Sequence, residues 1–552
     1  MSALALQIGA QVGAEVRTRL RSTGTMIALM VMLVGAYLWI PTPGGKATSI
    51  SWQLADGRLQ TSVHSAAYIG SAMSFLAGFF AVAIGFYLVA GSIRRDRERR
   101  VGAILAATPL PNAAYLLGKY FSHVAYLALV VSLIVPIGVY HFLRFGVGPF
   151  DALAFFGPLV LLTLPGIAFV AAMAVLFDVT PGLSGRMGLV IWFFVLSIVA
   201  AALPIAQATN LATGKTDRMP VFDPMGGTSV AVLIARSLPQ AVPGSISTGL
   251  IFRKEVVPAV AWKGLPIDAR FIAIRLAGVL WALPPLGLAL LLFDRFDPAR
   301  RRLTLRRKAK SVEAPEAPVL LDPAAPAVAS SAAVSSTVSP TASFAALAAV
   351  TARPSAFLAI VADAVLLWKT GSILRWAVVL LVILAAFLPA AAAPMVGGGF
   401  LLLLAPLISE ASCREALAGA GPLVFSQPGV PRSGTLWKIG SVSLFVVAVS
   451  LPFLLRALFT SPARGFAALS GLLFVAALAV SFGLLTGGGK LFVGIYLALW
   501  YAALNRVPYL DFCSLFGGDL GPAVRAAYLA AGAAFVALSM AVESRRRVAG
   551  NR

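Results

Sequence analysis

Residues 154–177 read AFFGPLVLLTLPGIAFVAAMAVLF, without one charged side chain. A helix rises about 1.5 Å per residue, so a run of this length covers the ~30 Å of hydrocarbon in a bilayer. A barrel strand would be about 10 residues long with alternating polarity, and the segment does not alternate. It therefore predicts a membrane-crossing helix. Working outward, comparable apolar blocks lie at 24–40, 66–90, 115–139, 187–206 and 271–293, and a second set at 373–393, 396–410, 436–457, 465–486, 489–504 and 522–542. The expected fold is an all-α polytopic membrane protein with about 12 transmembrane helices. Composition agrees: 59% of residues are hydrophobic and 12% charged, against roughly 25% charged in a soluble domain.

The net charge of +23 is confined to short segments beside the apolar blocks. Arg94, Arg95, Arg97, Arg99 and Arg100 follow the second block, a basic run from Arg295 to Lys310 follows the sixth, and Arg545, Arg546 and Arg547 follow the last. That distribution argues against nucleic acid and for the positive-inside rule. These groups and both termini are expected on the cytoplasmic side, and the expected location is a plasma (inner) membrane. Cys413 and Cys513 make neither a disulfide framework nor a metal-ligand spacing. No cleavable signal peptide is evident, because the first apolar run begins near Gly24 and is long enough to span.

Residues 2–22 place Leu4, Ile8, Val12 and Val16 at helical spacing ahead of Arg17, Arg19 and Arg21. This predicts an interfacial helix, or simply a basic anchor before the first span. Residues 311–352 are rich in Ala, Pro and Ser and read as a cytoplasmic linker. They divide the chain into halves, 1–310 and 353–552, each expected to hold an interfacial helix and six spans. The long connection 207–270 contains GTSVAVLIARS at 227–237, which suits a short interfacial helix or a partial re-entrant segment.

The halves echo each other. Residues 94–110 read RRDRERRVGAILAATPL and 114–121 read AYLLGKYF. Residues 414–430 read REALAGAGPLVFSQPGV and 433–440 read SGTLWKIG. Arg97-Glu98 matches Arg414-Glu415, and a two-residue insertion then brings Pro109 to Pro428 and Lys119 to Lys438. Pro220 and Asp223 echo Pro508 and Asp511 before the last span of each half. Two echoes in the same order predict a parallel repeat, two pseudo-symmetric six-helix bundles around a central pathway. The segment at 94–112 reads as a short helix with a charged start and a small apolar face, stopped by Pro109 and Pro111. Such a helix suits docking into a groove on a soluble partner. Asp223 and Asp511 are expected to cap or close turns at the outer side, and Lys119 and Lys438 to snorkel from their span ends.

An Arg-Glu pair, a small-residue helix, Thr-Pro-Leu and then Leu-Leu-Gly-Lys resemble the coupling segment of ABC transporter type 2 permeases, the exporter class, here in a fused form. The resemblance implies coupling residues Arg97, Glu98, Ile104, Leu105 and Pro109 in one half and Arg414, Glu415, Val424, Phe425 and Pro428 in the other, within 94–112 and 411–432. It implies two copies of a separate cytoplasmic ATPase as partners, with MgATP on that ATPase and no cofactor or metal on this chain. Consistent with this, no GxxxxGK[ST] or HExxH occurs, and Gly487-Gly488-Gly489-Lys490 is followed by Leu491. His123 lies within a span and is a weak candidate for the substrate pathway. An ion-coupled secondary transporter remains an alternative, and a lipid-processing membrane enzyme a more distant one.

Overall fold

The computed structural model describes residues 3–185, 187–196, 222–238, 240–242, 245–252, 255–296, 356–369, 372–387, 393–418, 420, 430–504, 509–514 and 521–550. The linker at 311–352 lies outside them, as do the basic run 297–310, Pro220, Pro508, Val424, Phe425 and Pro428. Among the described residues seven helices are long and apolar enough to cross a membrane: Ala66–Ala83, Asn112–Phe145, Ala152–Val179, Ala269–Leu292, Gly434–Thr460, Pro462–Thr486 and Pro522–Arg545. An eighth is reached if Ala5–Leu20 and Thr23–Trp39 count as one span, but the two meet at 73°. In the remaining apolar blocks the described residues form the helices Met187–Leu196, Ser372–Phe387, Ala393–Ile408 and Lys490–Leu504. The chain is a helical, polytopic membrane protein.

The helix Ala152–Val179 lies at the centre of the first half. Asp151 caps it by accepting the Leu153 and Ala154 amides at 2.9 and 3.1 Å, which satisfies two of the orphan N–H groups at its start. It packs along Ala66–Ala83 and also touches Asn112–Ser132 and Leu283–Leu292. In the second half Pro462–Thr486 takes the same place, between Val430–Thr460 and Pro522–Gly550.

One end of the helices carries a small sheet that the hydropathy reading passes over. Strands β1 (Ala47–Gln53), β2 (Leu59–Ser62), β3 (Ser247–Phe252) and β4 (Ala259–Val260) lie in the order β3-β1-β2-β4. β1 pairs antiparallel with β2 and with β3, and β2 runs parallel to β4. The β1–β2 turn carries Asp56-Gly57, with Gly57 at φ +84°, and Asp-Gly is a strong hairpin signal. The opposite end carries the arginines at 94–100 and is called the basic end below.

The connection before the last span of the first half does not stay at the surface. Its turn Asp223–Gly226 reaches the middle of the bundle. The Pro224 carbonyl lies against Gly166, midway along Ala152–Val179, and the Met225 carbonyl against Gly78. Any Cβ at either glycine would collide with that backbone. The helix Gly227–Ser237 then runs with Val230, Val232, Leu233 and Ile234 buried. A second turn, Asp511–Ser514, sets the Phe512 carbonyl against Gly471 of Pro462–Thr486 in the same manner. Non-helical backbone at such depth is tolerated only where protein surrounds it and its polar groups are paired.

Asp223 and Arg275 supply that pairing. The Asp223 carboxylate accepts the Gly226 and Ser229 amides at 3.0 and 2.7 Å and the Ser229 hydroxyl at 2.9 Å, so it closes a turn, but at mid-depth rather than at the outer side. Arg275, only 1% exposed, donates to the Asp223 carbonyl at 3.0 Å and to the Leu161 and Leu162 carbonyls at 3.1 and 3.0 Å. The Leu161 carbonyl is available because Pro165, four residues on, has no N–H to offer it. Removing Arg275 while Pro165 remains strands that carbonyl. Arg275→Met should therefore destabilise the protein by about 1–3 kcal/mol. Pro165→Ala, which restores the helix donor, should recover part of that loss. Thermal melting of the two single variants and the double variant checks this, and additivity would refute the link.

Candidate functional site at the basic end

Each half builds a cluster of two acids, an arginine and a lysine where its first helix crosses the base of a span, and in the first half Arg19 adds a third base 3.7 Å from Glu15. In the first half, Glu15 from the helix Ala3–Leu20, Asp96 and Arg95 from the short helix Ser92–Glu98, and Lys119 from Asn112–Ser132 converge. Lys119 Nζ pairs with Glu15 and, at 2.7 Å, with Asp96, and Arg95 reaches Glu15 at 2.6 Å. The Tyr115 hydroxyl donates to Asp96 at 2.7 Å. In the second half, Asp363 from Ala356–Lys369, Arg414 and Glu415 from Arg414–Leu417, and Lys438 from Val430–Thr460 converge. Lys438 pairs with Glu415 and, at 3.4 Å, with Asp363, while Arg414 pairs with Asp363 and, at 3.1 Å, with Glu415. The Ser441 hydroxyl donates to Asp363 at 2.6 Å.

These lysines do not snorkel as their span-end positions suggested. The Lys119 and Lys438 side chains are 2% and 8% exposed, because an arm helix lays an acid over each ammonium. Stripped of water, a lone ammonium would cost several kcal/mol, and two carboxylates offset that cost. The clusters also revise the match between the halves. Lys438 lies 23 residues after Glu415, and Lys119 lies the same 23 after Asp96. Arg95-Asp96 thus stands where Arg414-Glu415 stands, not Arg97-Glu98, and no insertion is needed to bring Pro109 and Lys119 into line.

Arg97 instead pairs with Asp294 at 2.9 Å and lies over the Phe296 ring. Glu98 is exposed and pairs with Arg94 at 3.4 Å. The one expected short helix is two, Ser92–Glu98 and Val101–Ala107. They are split at Arg100, whose φ of +60° breaks the helical path. Ile104 is 68% exposed, Leu105 is half-buried against the apolar cluster that includes Tyr115, and Pro109 is exposed. Gly102 lies against the Phe296 ring, and Arg295 donates to Asn112 at 3.2 Å and to the Thr108 carbonyl at 2.9 Å. The pair of short helices is therefore clamped to the end of the last span of its half and shows an apolar tip to solvent.

His123, the weak candidate for the pathway, lies among the buried polar groups of the first half. It is fully buried beneath the first cluster, with Nε2 at 3.2 Å from the Arg19 guanidinium and 3.1 Å from the Ser92 hydroxyl. Arg19 can only donate, so Nε2 is the unprotonated, accepting nitrogen. An apolar cleft lies between the halves. It has a cavity volume of about 70 Å³ and is walled by Phe79, Tyr87 and Phe193 of the first half and Gly494, Leu497 and Tyr501 of the second. Phe193 meets Trp500 edge to face at 5.5 Å, and Gly494 lies against the Tyr87 ring. Among the described residues no group of three metal-ligating side chains occurs. Comparison with protein-family models, curated proteins and solved structures finds no match to this chain.

Burial alone would raise the Glu15 carboxyl, but Lys119, Arg19 and Arg95 outweigh it and bring the pKa from 4.5 to about 2. A depressed carboxylate stabilises the fold fully above its unfolded value and loses that contribution as pH falls through its folded one. Melting temperature should accordingly fall between about pH 4.5 and 2. In Glu15→Gln the acid dependence over this window should flatten, and an unchanged slope would remove Glu15 as its source. At neutral pH Lys119→Met should cost about 3–5 kcal/mol, the range for removing one partner of a buried pair.

Proposed function

We propose that this chain is the membrane half of an ATP-driven exporter of the ABC type 2 class. In this reading two six-helix bundles, 1–310 and 353–552, are related by duplication, and the shorter apolar helices count with the long ones toward twelve crossings. The basic end faces the cytoplasm, and a separate ATPase binds there in two copies and supplies MgATP hydrolysis. The observation that carries the reading is the pair of like-built ion clusters. Each ties an arm helix to a short helix at the basic end and to the base of the span that follows, so a push on the short helix reaches the bundle through buried charge pairs rather than through a loose loop.

Two further features support it. The tip around Ile104 and Val101 is apolar and exposed where solvent would otherwise be met by arginines, which suits a groove on a soluble partner. The cleft between the halves is almost wholly apolar and is walled by elements of both halves. A closing partner that drew the short helices together would change its width, the arrangement an alternating pathway requires.

Ile104→Asp tests the docking tip without touching an ion cluster. Co-purification with the ATPase should drop about tenfold, the loss expected when one large apolar side chain no longer buries. ATP-dependent transport should fall with it, at an unchanged melting temperature. Full partner binding and full transport in this variant, together with Leu105→Asp, would sink the coupling assignment.

A further inference from the structure

The path from the span Ala66–Ala83 into the short helices turns at Gly91, which holds φ at +80°. Just before it the helix Gly85–Val89 ends, and carbonyls at a helix end have no partner of their own. Three side chains grip this hinge. Arg19 donates to the Leu88 and Val89 carbonyls at 2.8 and 3.1 Å. Asp178 accepts the Gly91 and Ile93 amides at 2.5 and 3.0 Å and the Ser92 hydroxyl at 3.2 Å. Both belong to the first half. The third grip comes from the other half of the chain: Lys490 Nζ donates to the Ala90 carbonyl at 2.5 Å.

Lys490 opens the helix Lys490–Leu504, and that helix is firmly held within the second half. Tyr496 donates to the Leu401 carbonyl at 2.7 Å and Trp500 to the Gly398 carbonyl at 2.8 Å. Four residues beyond Lys490, the same helix walls the apolar cleft at Gly494, Leu497 and Tyr501. Gly91 leaves room for the ammonium, since a Cβ there would collide with Lys490 Nζ. Arg94, Asp178 and Glu410 line the small polar recess around it.

We propose that Lys490 is a positioning residue that latches the second half onto the Gly91 hinge of the first, so that displacement of the helices Ser92–Glu98 and Val101–Ala107 is passed directly to a wall of the cleft. The contact engages backbone, so it senses the path of the chain rather than one side chain. Its transmitting role rests on the exporter reading above, whereas the latch itself does not.

The test uses the full chain in lipid nanodiscs and reads amide exchange over residues 91–98. Lys490→Met keeps the stem and removes the donor. Exchange there should rise about tenfold, the scale of one charge-assisted hydrogen bond, while that of 112–132 holds. Lys490→Arg should restore protection. Should Lys490→Met melt early, Lys490→Gln, too short to reach the carbonyl, serves in its place. Unchanged exchange in the neutral variants, or a failure of Lys490→Arg to rescue, would overturn the latch. In the presence of the ATPase, Lys490→Met should also lower transport per ATP hydrolysed with partner binding intact. Normal transport per ATP would overturn transmission. A wild-type chain that binds no ATPase would instead count against the exporter reading and leave the exchange result to decide the latch.

Discussion

A lysine buried at the base of a membrane span cannot stay charged without partners, and the architecture of each half follows from meeting that demand. Lys119 needs Glu15 and Asp96, and Lys438 needs Asp363 and Glu415. One acid of each pair lies on a helix before the first long span of its half and the other on the short helix ahead of the lysine. The ammonium therefore fixes three segments that are far apart in the chain. Loss of any member leaves an uncompensated charge where water does not enter, so the three segments are held as a unit.

The same economy governs the interior of the first half. Pro165 removes a helix donor, Arg275 supplies donors to the carbonyls left there, and a turn that would be intolerable in lipid sits at mid-depth because those groups meet. A proline in a span and an arginine in a later span are each costly alone. Together they offset one another, and the Asp223 turn is the structural return.

The halves are not equivalent beneath their clusters. Four residues after Glu15 stands Arg19, and four after Lys119 stands His123. Four after Asp363 stands Leu367, and four after Lys438 stands Val442. The first half thus carries a buried polar network of Arg19, His123, Ser92 and Asp178, where the second is filled by hydrocarbon. Apolar packing can replace buried polar groups at little cost in stability, so the polar version in the first half is better understood by what it holds. It grips the backbone on both sides of Gly91, and the second half reaches the same backbone through Lys490.

By itself, the sequence determined the class of the molecule. Twenty-residue runs without charge admit only helices in a bilayer, because every backbone group must bond within its own segment. It also pointed to 94–112 and 411–432 as the segments to examine, through their charge and their prolines. Its Asp56-Gly57 turn signal went unused, since hydropathy says little about a sheet outside the membrane. Tertiary structure alone decided which charges pair. Reading Arg97-Glu98 as the counterpart of Arg414-Glu415 followed residue identity, but Asp96 can replace Glu415 because an ammonium recognises a carboxylate and not the length of its stem. The burial of His123, the depth of the Asp223 turn and the reach of Lys490 to Ala90 likewise join residues tens to hundreds of positions apart. No local pattern encodes such contacts, because they arise from where whole helices pack.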